Sequence, residues 1–118
     1  MKLNLYLCAF ASDDLNRSVK RFYRQAQSLN IYTKIRIYQP SDLSAKIRNR
    51  IKVIIKKKGT YLYGHEIWKQ YIINDLYKTL PNYSIIHYCD IGCHLNELGV
   101  KRFKQYISLT KKYNFLTF

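Results

Sequence analysis

The sequence predicts an α/β fold: a three-layer, Rossmann-like domain with a mostly parallel sheet. Three observations carry that expectation. Short apolar runs rich in β-branched and aromatic residues recur at 3–10, 31–38 and 84–90. Between them lie stretches whose apolar residues step by three and four, as in a helix with one buried face. These stretches are long enough to serve as crossovers, and strands joined that way pair in parallel through right-handed connections. At 118 residues the chain reads as one domain, 1–118, and folding removes roughly two thirds of its unfolded surface from water.

Residues 3–10 suit a buried first strand. Ser12, Asp13 and Asp14 follow as helix caps. Leu15, Val19, Phe22, Ala26 and Leu29 then line one helical face, which ends near Asn30. In the second run Ile35 and Ile37 share one side and Lys34 and Arg36 the other, closed by Gln39 and Pro40. Ser41 and Asp42 are positioned to cap the next helix, with Leu43, Ile47, Ile51, Ile54 and Ile55 inward and Gly59 as its stop. A third helix is expected over 66–80, and Pro81 and Asn82 turn the chain into the third strand. A last helix is expected over 97–113 with Val100, Phe103 and Ile107 inward, and 114–118 reads as the start of another strand.

Composition narrows the partners. Lysine and arginine number 21 against 7 acids, a net charge of +14, so the chain attracts anions: phosphates, nucleic acid or an acidic membrane surface. A hydrophobic content of 47% argues against disorder. Cys8, Cys89 and Cys93 cannot all pair, which favours reduced thiols and a cytoplasmic location. Lys2 and the run to Ala9-Phe10-Ala11-Ser12 loosely imitate a signal peptide, but Asn4 breaks the run and a first strand explains it equally well. No stretch approaches the ~20 apolar residues of a membrane span.

Two segments carry the functional signal. Tyr63-Gly64-His65-Glu66-Ile67-Trp68-Lys69-Gln70-Tyr71 opens a helix on the chain's only tryptophan, and Tyr88-Cys89-Asp90-Ile91-Gly92-Cys93 ends a strand on an aspartate and a turn. In an open α/β sheet ligands bind where strands end. Together the two segments resemble a family of bacterial cell-surface glycosyltransferases, of lipopolysaccharide and capsule type, with a GT-A fold. In that family an aromatic, glycine-containing turn leads into a Trp-Lys-(Pro)-Tyr helix, and a strand then ends in Tyr-x-Asp-x-Gly-Cys. The matching residues are Tyr63, Gly64, Trp68, Lys69 and Tyr71, then Tyr88, Asp90, Gly92 and Cys93. Gln70 departs from the family by replacing its proline; Gly92, a glycine the relatives share, stands where the Asp-x-Asp motif of GT-A enzymes has its second metal carboxylate.

The resemblance implies the nucleotide-sugar-binding half of a GT-A enzyme, transferring sugar to a surface glycan or lipid-linked precursor. Donor contacts would come from Phe10, Ala11, Ser12, Tyr63, Gly64, Trp68, Lys69, Asp90 and Gly92. Asp90 would hold Mg²⁺ or Mn²⁺ against the diphosphate. After Asp90 only 28 residues remain, with Glu97 their only acid. That implies an incomplete or inactive member with no assigned catalytic base, whose open sheet edge favours self-association.

Plainer readings stand beside these. An aromatic opening an amphipathic helix packs, so by position alone Trp68 is core. A strand-end aspartate such as Asp90 can simply cap a turn. His87, Cys89, Asp90, Cys93 and His94 crowd together, but not at the spacing of paired zinc ligands. The basic run from Lys46 to Lys58 is either a solvated face or a contact with the inner face of an anionic membrane. The competing class is a non-enzymatic basic module on nucleic acid or membrane. The 12 tyrosines could stack bases, yet no nucleic-acid-binding signature is present and the basic residues spread over every helix.

Overall fold

The computed structural model describes residues 3–60 and 62–117; Lys2 of the signal-like run and Phe118 of the expected last strand lie outside them. Strand β1 (Leu5–Phe10) runs into a 3₁₀ turn (Asp13–Leu15) and helix α1 (Asn16–Leu29), then β2 (Lys34–Tyr38). A 3₁₀ turn (Pro40–Asp42), α2 (Ala45–Lys58), one distorted turn α3 (Leu62–His65) and α4 (Trp68–Thr79) lead to β3 (Ile85–Tyr88). A further 3₁₀ turn (Glu97–Gly99) opens α5 (Val100–Tyr113).

The sheet has three strands in the order β2-β1-β3, all parallel, with Leu7 opposite both Ile35 and His87. The central place of β1 explains its unbroken apolar sequence: Leu5, Leu7, Cys8 and Ala9 are fully buried because both faces of the strand are covered. On one face α2 and α4 pack Ile51, Trp68, Ile72 and Leu76 against Cys8, Phe10 and Tyr38. On the other, α1 packs Phe22 and Ala26 against Leu7, Ala9 and Ala11. Phe103 of α5 lies on that second side, 4.6 Å from the His87 ring. The three-layer α/β arrangement is the expected one.

Local chemistry sets the element ends. Asn30 closes α1 in the left-handed conformation (φ 51°), its N–H bonded to the Gln27 carbonyl. The cap of α2 is Ser44, whose hydroxyl accepts from the Ile47 N–H at 3.3 Å, and not Ser41 or Asp42. Pro40 starts a 3₁₀ turn instead, in which Asp42 accepts from the Gln39 N–H at 2.8 Å and from Arg36 at 3.2 Å. Between α2 and α4 the backbone is left-handed at Tyr63 (φ 45°), Gly64 (φ 79°) and Glu66 (φ 59°). The helix therefore starts at Trp68, two residues later than its pattern suggests. Residues 114–117 form no strand; Asn114 ends α5 in the left-handed region (φ 68°). Among the described residues no helix is long and apolar enough to cross a membrane.

Candidate functional site

From β1 the chain crosses to β2 on one side, while β3 lies on the other. Connections leave in opposite directions at that point, opening a crevice above the carboxyl ends of β1 and β3. A cavity of about 660 Å³ occupies it.

Its floor is aromatic. Phe10, the last residue of β1, stacks on Trp68 at 4.2 Å and 18°, and on Tyr63 at 5.7 Å and 24°. Leu15, Ile55 and Ile91 add aliphatic wall, and Tyr88 closes the β3 side. The charged lining is entirely acidic: Asp13, Asp14, Glu66 and Asp90, with no lysine or arginine among the described lining residues. Four of the chain's seven acids thus gather in one cleft of a strongly basic protein.

The carboxylates are held in place. The Tyr88 hydroxyl donates to Asp90 Oδ1 at 2.6 Å; burial and then this bond push the phenol well above its ordinary range. Lys69 Nζ bridges Glu66 at 3.2 Å and Asp90 at 3.9 Å, 5.0 Å from the centre of the Tyr88 ring. The Ser12 hydroxyl donates to Asp14 at 2.5 Å. Behind the turn Arg21 of α1 donates to the carbonyls of Ile91 (2.7 Å) and Cys93 (2.6 Å), and Gln25 accepts from the Leu95 N–H at 3.0 Å.

Of the residues expected to contact a donor, Phe10, Ser12, Tyr63, Trp68, Asp90 and Gly92 line this cavity. Lys69 sits beside it, tied to two of the lining acids. Ala11 and Gly64 do not line it. The Ala11 side chain is fully buried on the α1 side, because successive residues of an extended segment point to opposite faces. Gly64 packs against α2, where even a Cβ would come within 3.0 Å of Ile51. Trp68 is only 6% exposed, so it supports the floor more than it presents a surface.

The sequence pattern did not single out Asp13, Asp14 and Glu66 for the cleft, nor Arg21 and Gln25 for its bracing. Asp13 and Asp14 follow directly after a strand, and that position was the available signal. Nothing local marks Glu66, which reaches the cleft through its left-handed backbone, or the two bracing residues seventy positions from the turn they hold.

His87 and Cys89 face the other side of β3. The His87 ring lies against Phe103, with Nδ1 hydrogen-bonded to the Tyr32 hydroxyl at 2.8 Å; burial lowers its pKa to about 4. Burial likewise pushes the Cys89 thiol up to about 12. Both behave as core groups. Among the described residues no three His, Cys, Asp or Glu side chains gather into a metal-ligand group. No family model, no curated protein and no solved structure matches the chain.

Proposed function

We propose that this protein binds a nucleotide-diphosphate sugar together with a divalent cation, as donor for transfer to a surface glycan or its lipid-linked precursor. One observation carries the reading: Phe10, Ser12, Tyr63, Trp68, Asp90 and Gly92, from three separate segments, converge on the crevice at the β1/β3 switch point.

The four carboxylates, with Lys69 offsetting only part of the charge of Glu66 and Asp90, repel a bare diphosphate. A hard cation such as Mg²⁺ or Mn²⁺ removes the conflict, because it takes one or two protein carboxylates and completes its shell with phosphate oxygens and water. Few protein ligands therefore suffice. Asp90 fits that role, its side chain 59% exposed, while Lys69 already spans Asp90 and Glu66 and would share the carboxylates with an ion bound there. Such an ion, when bound, offsets the charge that builds on a departing diphosphate.

This chain's own residues do the positioning. Tyr63, backed by the buried and stacked Phe10 and Trp68, offers the aromatic surface for a base or sugar face. The Tyr88 hydroxyl orients Asp90. Arg21 and Gln25 hold the 91–95 loop, so the carboxylate's place does not depend on the ligand.

Calorimetric titration with UDP and GDP, with and without Mn²⁺, tests this on wild type and Asp90→Asn. Saturable binding is expected only with the metal. Loss of one direct ligand weakens it by roughly tenfold or more, about 1.4 kcal/mol per decade. A folded protein that binds neither nucleotide under either condition overturns the reading.

A further inference from the structure

We infer that the outer face of α2 docks the protein on an anionic lipid bilayer, one helix away from the cleft. α2 carries Lys46, Arg48, Arg50, Lys52, Lys56, Lys57 and Lys58, all exposed, and no acid. At about 100° per residue, Lys46, Arg50, Lys52, Lys56 and Lys57 surround Val53 on the side away from Ile47 and Ile51. Val53 is 53% exposed, an apolar group at the centre of a cationic ring.

That arrangement matches the chemistry of a lipid interface. Ammonium and guanidinium groups meet the headgroups, while Val53 and the lysine stems reach the apolar boundary below. The five cations span about 17 Å of helix, so a flat anionic surface engages them together. Nucleic acid is the weaker fit, because α2 has no aromatic side chain on which a base could stack. α5 is also basic, through Lys101, Arg102, Lys104, Lys111 and Lys112, but it packs on the opposite side of the sheet. The two helices cannot rest on one plane.

α2 also belongs to the cleft. Ile55 on its inner side and Thr60 just past its end line the cavity. A bilayer against the outer face thus lies one helix away from the proposed donor site, where a lipid-linked acceptor would be. Docking itself rests on the charges of α2; only the identity of what is brought to the surface rests on the donor reading.

Co-sedimentation tests this with phosphatidylcholine vesicles with and without phosphatidylglycerol, without nucleotide or metal. Two variants, each four charges lower, are compared. One changes Lys46, Arg50, Lys56 and Lys57 to Gln on α2, the other Lys101, Arg102, Lys104 and Lys112 to Gln on α5. Wild type is expected to bind only the anionic vesicles. The α2 variant loses roughly a hundredfold or more, at about one cation's contribution per residue, and the α5 variant stays near wild type. Equal losses in both variants, an unweakened α2 variant, or binding to duplex DNA in place of vesicles overturns the inference. UDP–Mn²⁺ titration of the α2 variant separates the two readings: retained nucleotide binding with lost vesicle binding shows that each stands alone.

Discussion

His87 shows how one side chain ties the pH response to packing. Its ring sits on β3 between Tyr32 and Phe103, and burial alone holds its pKa at about 4 against an ordinary 6.5. The unfolded chain therefore takes up a proton at a higher pH than the folded one. The His87 contribution to stability is full above pH 6.5, is lost as the pH drops toward 4, and changes no further below. Over that window the group accounts for about 3 kcal/mol at most. His87→Leu is expected to flatten the fall, read as urea midpoints across the range; an unchanged slope would assign the acid sensitivity elsewhere. The signal for this role was present in the sequence, since a histidine inside an apolar strand is more often core than ligand. Its crowding with Cys89, Asp90, Cys93 and His94 invited a zinc reading that the ligand spacing already disfavoured.

At the scale of elements, helices and strands were legible because their burial follows one period each. The joints were not, because they depend on what the chain meets next. Ser41 and Asp42 look like a cap from the sequence, yet Pro40 fixes a 3₁₀ turn there and passes the capping role to Ser44. The 63–66 joint is the clearest case. α2 and α4 can pack side by side on the sheet only if the chain reverses tightly at α3, and Gly64 permits this with φ 79° and no side chain against Ile51. Gly64→Ala is expected to cost about 1–2 kcal/mol from the left-handed backbone alone, with the Ile51 contact adding to it. Urea unfolding measures the loss, and a variant as stable as wild type would show that the joint can relax. Tyr63 and Glu66, which flank Gly64, reach the cleft only in this conformation, so their place in the site was invisible to helical periodicity. The last segment departs too: the left-handed Asn114 ends α5, and the strand-like residues 114–117 form no strand.

Across the whole molecule charge is sorted by sign. Positive residues cover the helices, and acids concentrate in the cleft. A net +14 on 118 residues works against the compact state through self-repulsion, and salt screens it. Raising NaCl from low ionic strength is therefore expected to increase the melting temperature by several degrees, since about 1 kcal/mol moves a domain of this size by roughly 4 °C. A midpoint that stays flat or falls would mean that the basic surface carries little strain. The all-parallel sheet has one further consequence, in time. During synthesis β1 leaves the ribosome shortly before β2, with which it pairs, Tyr6 opposite Lys34. Its other neighbour comes much later, because Leu5 pairs with Ile85, eighty positions on. Such distant pairing waits for a long loop to close. Tyr88, Asp90 and Gly92 arrive with β3, so the cleft is completed only when that strand docks, and a nascent chain stopped before β3 carries half a wall and no site.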